Sequence, residues 1–111
     1  MTTVFVDAEN VRRSIWPNVP AARLVALCDA WARERGVHAV VVFDGSPPTA
    51  TGADVTVVGT AAETADDWIA RAARETADFW LVTSDRGLRE RIGGAAARTV
   101  GGGTFVRELT S

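Results

Sequence analysis

Short runs of β-forming residues alternate with longer helical segments along the whole chain, and this order restricts the fold most strongly. The four clearest runs are Val4–Val6, Val37–Phe43, Asp54–Val58 and Phe79–Val82, and Ala97–Val100 is a brief fifth candidate. Strands that alternate with helices build βαβ units, and these units form a mostly parallel sheet with helices on both faces. We therefore expect an α/β fold of three layers with four or five strands.

The segments between the strands have the apolar spacing and the end signals of helices. The first begins near Pro20, carries apolar residues at three- and four-residue intervals, and ends at Gly36. Residues 64–76 and 86–92 are predicted to form two more helices. The tail from Gly101 is glycine-rich and then mildly amphipathic.

Composition limits the chemistry that the chain can perform. Its 111 residues fit one domain, predicted here as residues 1–111, and all 12 basic residues are arginine. Without lysine, a P-loop phosphate site and a Schiff base are excluded. One cysteine and one histidine exclude a disulfide framework and a Cys/His zinc site. No signal peptide or long apolar run is found, so a cytoplasmic location with no membrane association is expected.

Aspartates follow the predicted strands at positions that a parallel sheet would bring together. Asp7 and Asp44 end two strands, Asp85 lies just after another, and Asp66 and Asp67 lie in the first turn of a helix. The carboxyl ends of parallel strands share one edge, where α/β proteins bind ligands. An aspartate in such a position can also simply cap a helix or a turn, so both interpretations stay open.

Clustered carboxylates raise one another's pKa unless a cation lies between them. Mg²⁺ prefers carboxylate oxygens and keeps several of its waters, which predicts metal-assisted hydrolysis of a phosphodiester. In this hypothesis Asp7, Asp66 and Asp85 bind the ion directly or through water, and Asp44 and Asp67 complete its outer shell. His38 precedes Asp44 by six residues, or about 20 Å of extended strand, so a Ser-His-Asp triad is not expected.

Four segments carry a resemblance to a known family. Val6-Asp7-Ala8-Glu9-Asn10-Val11, Val42-Phe43-Asp44-Gly45, Glu63-Thr64-Ala65-Asp66-Asp67-Trp68-Ile69 and Val82-Thr83-Ser84-Asp85-Arg86 occur in the order seen in NYN-domain ribonucleases. The chain resembles the YacP-like branch of this group, within the PIN-like superfamily, from Val4 to about Val100. It departs from the Asp-Gly-Tyr-Asn common in that branch, because Ala8 and Glu9 follow Asp7.

The resemblance implies a PIN-like fold with strand order 3-2-1-4-5 and an RNA endonuclease that depends on Mg²⁺ or Mn²⁺. It implies that Asp7, Asp66 and Asp85 are metal-binding acids of the catalytic site. Asn10 and Ser84 resemble the polar residues that orient these acids or a bound water. Asp44 is similar to an acid that the group often carries after strand two, and a homodimer is a further expectation because PIN-like proteins often dimerise.

Arginine and tryptophan residues near the predicted site are candidates for RNA contact. Arg12, Arg13 and Arg86 are expected to contact phosphates, and Trp16 to stack on a base. The alternative for the arginines is a solvated helix face with pairs such as Arg86 and Glu90.

Two other functions compete with the ribonuclease hypothesis. One is a PIN-like module that binds RNA or a partner but has lost catalysis, which the intact acids disfavour. The other is a phosphatase or a phospho-acceptor with Asp7 as nucleophile, a site that normally pairs its aspartate with a lysine. The absence of lysine disfavours that function.

Overall fold

The computed structural model, which describes residues 1–111, contains one sheet of five parallel strands. The strands are β1 (Thr3–Asp7), β2 (His38–Asp44), β3 (Val55–Thr60), β4 (Phe79–Val82) and β5 (Arg98–Val100). Their order across the sheet is β3-β2-β1-β4-β5, and every neighbouring pair is parallel. The α/β prediction, the fifth strand and the order 3-2-1-4-5 are confirmed.

Five α-helices connect or follow the strands. They are α1 (Ala8–Arg12), α2 (Ala21–Arg35), α3 (Ala65–Arg74), α4 (Arg86–Ile92) and α5 (Gly102–Thr110), and a short 3₁₀ turn covers Gly93–Ala95. Helix α2 ends at Gly36, whose φ of 66° lies in the left-handed region. The short helix α1 was not predicted, because five residues are too few to show an apolar period.

The sheet separates two hydrophobic cores, as the alternation of side chains along a strand requires. Val4 and Val6 of β1 join the larger core of 19 buried residues, together with Leu24 of α2 and Phe105 of α5. Phe5 joins a smaller core of 10 buried residues with the apolar faces of α3 and α4. Helices therefore cover both faces of the sheet. Loops lie at its amino edge, where the strands begin, and at its carboxyl edge, where they end.

Strand β3 continues two residues further than its predicted end at Val58. Its pairing with β2 carries on through Gly59 opposite Phe43 and Thr60 opposite Asp44. This extension brings the ends of β2 and β3 level with each other at the carboxyl edge. None of the helices is both long and apolar enough to span a lipid bilayer.

Candidate metal centre

An open pocket of about 620 Å³ lies at the carboxyl edge of the sheet. It is lined by 11 residues, none of them hydrophobic: Asp7, Glu9, Asn10, Arg13, Ser14, Asp44, Thr64, Asp66, Ser84, Asp85 and Gly103. Four of the five predicted acids thus line one pocket, although they belong to different segments of the chain. A cavity without apolar lining suits a charged and hydrated ligand better than an apolar one.

Asp7 is the most buried acid of the pocket, with 5% of its surface exposed. It ends β1, and its Oδ2 accepts a hydrogen bond of 2.9 Å from the hydroxyl of Thr83. The pKa of Asp7 is raised from 3.8 to about 6, chiefly by burial and also by the nearby charges of Asp66, Asp44 and Asp85, against the lowering effect of the Thr83 bond. A carboxylate in this position is costly unless a cation offsets its charge.

Asp66 faces the pocket from the first turn of α3, a helix fixed by two hydrogen bonds at its start. The Thr64 hydroxyl accepts from the backbone N–H of Asp67 at 3.1 Å, and Asp44 Oδ1 accepts from the N–H of Ala65 at 2.7 Å. Partial burial raises the pKa of Asp66, and the charges of Asp85 and Asp44 raise it as well. Asp44 therefore both lines the pocket and holds the helix that carries Asp66.

Asp85 is the N-cap of α4, and its Oδ1 accepts from the N–H of Leu88 at 2.9 Å. Its own backbone N–H donates to the hydroxyl of Thr83 at 3.0 Å. The capping interpretation thus explains one oxygen of Asp85 and one of Asp44. It does not explain Asp7, which precedes α1 but forms no side-chain capping bond.

Asn10 and Ser84 lie beside the acids and bond to backbone groups of the surrounding loops. Asn10 Oδ1 accepts from the N–H of Ser84 at 2.8 Å, and Ser84 Oγ accepts from the N–H of Gly102 at 2.8 Å. These bonds tie the ends of β1, β4 and β5 to one another. The predicted polar partners thus hold the loops that carry Asp7 and Asp85.

Four other predicted residues do not line the pocket. Asp67 is exposed, is not among the pocket-lining residues, and accepts a hydrogen bond of 2.9 Å from Arg91. Arg12 lies outside the pocket lining and donates to both carboxylate oxygens of Glu9. Arg86 is exposed on the first turn of α4, and Trp16 is 87% exposed in the loop after α1.

Thr83 is a site residue that the sequence analysis did not identify. It is fully buried and bonds to Asp7 and to the backbone of Asp85 at the same time. A hydroxyl between a buried strand end and an acidic cap is the signal that could have indicated it. Glu9 was also missed as a pocket residue, but it already pairs with Arg12 at 2.9 Å and Arg13 at 3.5 Å.

The acids of the pocket suit a hydrated divalent ion. No ion pair neutralises Asp7, Asp44, Asp66 or Asp85, and their oxygens are hard donors. No group of three or more His, Cys, Asp or Glu side chains is close enough to enclose an ion. The donor set therefore fits Mg²⁺ or Mn²⁺ held by one or two carboxylates with waters between the ion and the others.

A family model described as the YacP-like NYN domain matches residues 7–111. Among solved structures, the chain is similar to Rae1 (YacP) from Bacillus subtilis, with 22% identity and a TM-score of 0.79, over 99% of this chain and 74% of that one. A tryptophan-to-leucine mutant of the same protein gives 26% identity and a TM-score of 0.72, over 99% and 76%.

A search of curated proteins gave no match. The family model nevertheless covers nearly the whole chain, including every acid of the pocket. This chain belongs to the YacP-like NYN domain family.

Proposed function

We propose that the protein is an RNA endonuclease that requires Mg²⁺ or Mn²⁺ and hydrolyses phosphodiester bonds at the carboxyl-edge pocket. The family is a ribonuclease-type family, which supports a nuclease function at that level. One observation carries the proposal to the site: Asp7 is buried beside three other acids, without a cationic partner and without a capping role. A divalent cation bound there would offset the charge of the four acids and would explain why they lie together.

Asp7, Asp66 and Asp85 would hold the ion, and Asp44 would support it through water. When bound, such an ion activates water for attack on a phosphodiester and offsets the negative charge that develops there. Thr83 keeps Asp7 and the loop of Asp85 at a fixed separation through its two hydrogen bonds. Asn10 and Ser84 fix the same loops from the outside, so the acids need little reorganisation to receive the ion.

Arginines and one tryptophan around the pocket would hold the RNA. Arg13 lines the pocket and is 70% exposed, so it can reach a phosphate next to the scissile one. Arg86 is exposed beside Asp85, and Arg12 on α1 donates to Glu9, which Arg13 also contacts. A single domain over residues 1–111, a cytoplasmic location and a homodimer stay predictions.

The proposal is tested by incubating labelled RNA with the purified protein in Mg²⁺ or Mn²⁺ and resolving the products on a gel. We expect cleavage that disappears in EDTA and in the Asp85→Asn variant. The matched control is Asp67→Asn, which removes an acid from the same rim that lies outside the pocket and pairs with Arg91. It should retain activity.

Full activity of Asp85→Asn, or cleavage that persists in EDTA, would overturn the proposal. RNA binding without any cleavage, unchanged in Asp7→Asn and on removal of metal, would instead support the inactive binding module.

A further inference from the structure

We propose that Arg89 is a positioning residue of the carboxyl-edge pocket, although it lies outside the pocket lining. Its guanidinium holds the peptide group between Thr83 and Ser84. Through Thr83, it keeps Asp7 and Asp85 at a fixed separation. The inference deepens the proposed function and rests on it, because Asp7 and Asp85 are two of the acids proposed to hold the divalent ion.

The guanidinium of Arg89 reaches from α4 to the end of β4. Its Nε donates a hydrogen bond of 2.8 Å to the backbone carbonyl oxygen of Thr83. Its Nη2 lies 3.4 Å from the position of a Cβ atom on Gly101. None of the ion pairs in the structure includes Arg89. The positive charge is therefore directed at a backbone carbonyl, and a hydrogen bond from a charged donor is about twice as strong as a neutral one.

The peptide group between Thr83 and Ser84 is held from two opposite sides. Arg89 binds its carbonyl oxygen, and Asn10 Oδ1 accepts from its N–H at 2.8 Å. The C=O and N–H of a trans peptide point in opposite directions, so α4 and α1 restrain the same plane from either side. The charge on the carbonyl side also polarises the group, which strengthens the bond that its N–H donates.

Thr83 transmits this restraint to the acids. Its backbone N–H donates to Val100 at 2.9 Å, so both backbone polar groups of the residue are bonded. Its hydroxyl donates to Asp7 at 2.9 Å and accepts from the N–H of Asp85 at 3.0 Å. Rotation of the peptide group that Arg89 holds would shift the Asp85 amide relative to that hydroxyl. Arg89 therefore limits the motion that would separate Asp7 from Asp85.

Two substitutions of similar length separate this role from the alternatives. The side-chain nitrogen of glutamine is as many bonds from the backbone as Arg89 Nε, so Arg89→Gln keeps an N–H donor for the Thr83 carbonyl and removes the charge. Arg89→Met keeps the length and removes both the donor and the charge. The matched control is Arg74→Met, which makes the same change at an exposed arginine in the last turn of α3.

The test measures binding of Mn²⁺ alone to the purified protein at pH 7.5 by isothermal titration calorimetry. We expect Arg89→Met to raise the dissociation constant about tenfold, at the lower end of the range for groups that orient metal ligands. Arg89→Gln should raise it about threefold, because a neutral donor recovers about half of the strength of the bond. Arg74→Met should bind Mn²⁺ as wild type does.

Amide hydrogen exchange of the metal-free protein shows whether the effect is local. In Arg89→Met the amides of Ser84 and Asp85 should exchange about tenfold faster than in wild type. The amides of α4 beyond its first turn should exchange at the wild-type rate. Faster exchange throughout α4 would show that the substitution melts the helix, and it would overturn the assignment.

Cleavage of labelled RNA at a fixed Mn²⁺ concentration separates positioning from contact with the substrate. Positioning by Arg89 predicts a lower kcat in Arg89→Met and an unchanged KM for RNA. A contact between the guanidinium and a phosphate predicts a higher KM, equal in Arg89→Gln and Arg89→Met, with unchanged Mn²⁺ affinity. That second result would overturn the inference.

The inference also fails if Arg89→Met binds Mn²⁺ as tightly as Arg74→Met does, or if Arg89→Gln and Arg89→Met lose the same affinity. These outcomes are separate from failure of the proposed function. A protein that cleaves RNA and whose Mn²⁺ affinity is insensitive to both substitutions refutes the role of Arg89 alone. A protein that never cleaves, but whose Mn²⁺ affinity falls from wild type to Arg89→Gln to Arg89→Met, refutes the nuclease proposal alone.

Discussion

Acidic residues at the two edges of the sheet differ in the partners that they contact. At the amino edge, Arg33 contacts Asp29 at 2.7 Å and Asp54 at 3.1 Å, and the hydroxyl of Thr2 donates to Asp78 at 2.6 Å. At the carboxyl edge the four acids of the pocket have hydroxyl or backbone partners, or none, and no ion pair.

This difference separates groups that stabilise the fold from groups that are prepared for a ligand. The ion pairs of Arg33 at the amino edge are of the surface kind, which adds little to stability. At the carboxyl edge Asp7 has no ion pair, and burial and neighbouring acids raise its pKa to about 6. Proteins accept such a loss of stability mainly at functional sites.

The largest effect that tests this comparison is expected at Thr83. Thr83→Val keeps the shape of the side chain but removes the hydroxyl that bonds Asp7 and the backbone of Asp85. We expect RNA cleavage to fall about 10- to 100-fold, as for other groups that orient metal ligands. In the wild type the hydrogen bond from Thr83 lowers the pKa of Asp7. Its loss should raise that pKa, so the pH profile of kcat/KM should move to higher pH in the variant.

Thr83→Ser is the matched control, because it keeps the hydroxyl and should keep both the rate and the pH profile. Equal activities of the valine and serine variants would show that Thr83 only fills space.

The next effect concerns stability. In the folded protein the pKa of Asp7 is about 6, above its ordinary value of 3.8, so folding favours the protonated acid. The free energy of unfolding should therefore fall as the pH rises from 4 to 7, and Asp7→Asn should remove this loss. We expect Asp7→Asn to be more stable than wild type by about 2–3 kcal/mol at pH 7.5 and no more stable below pH 4.

Urea unfolding in EDTA across this pH range measures the free energy of unfolding of both proteins. The contrasting variant at the amino edge is Asp54→Asn, which should lower stability at pH 7.5 because it removes the ion pair with Arg33. Destabilisation by both substitutions at pH 7.5 would remove the distinction between the two edges.

Binding of metal at a low concentration should stabilise the wild type by less than the Asp7→Asn substitution does. At Mg²⁺ or Mn²⁺ about tenfold above the dissociation constant, the free energy of unfolding of the wild type at pH 7.5 should rise by about 1.4 kcal/mol. The gain should shrink at pH 5, where Asp7 holds its proton, and in the Asp7→Asn variant. Calorimetric scans with and without metal measure it, and an equal gain in Asp7→Asn would place the ion elsewhere.

The smallest effect is expected for Arg33→Ala at the amino edge. It removes two exposed ion pairs, to Asp29 and to Asp54, so the thermal midpoint should fall slightly. RNA cleavage should not change. A loss of activity comparable to that of Thr83→Val would show that the amino edge takes part in function.

The fold and the position of the acids could be predicted because both depend on short-range patterns. Val40-Val41-Val42-Phe43 identifies a buried strand by itself, and parallel strands place Asp44 at the same edge as Asp7 wherever the chain runs between them. The order of the strands came from the resemblance and not from these patterns.

Other parts of the site depend on contacts that no local pattern contains. Thr83 is distinguished from any other threonine by its 2.9 Å bond to Asp7, which is 76 residues away in the chain. Asp66 and Asp67 are adjacent acids on one helix, yet the rotation of α3 turns the first to the pocket and the second to Arg91. Helix α5 lies against Ser14 and Asn10 because Gly102 lets it pack closely, and a sequence shows only the glycine.

The central claim is that the unpaired acids at the carboxyl edge hold a divalent cation. The most direct measurement is a crystal soaked in Mn²⁺ at pH 7.5 and examined by anomalous scattering. We predict a Mn²⁺ peak in the pocket within bonding distance of at least one of Asp7, Asp66 and Asp85, with the others bridged by ordered water. An empty pocket at saturating Mn²⁺, or a peak bound only at the amino edge, would contradict the claim.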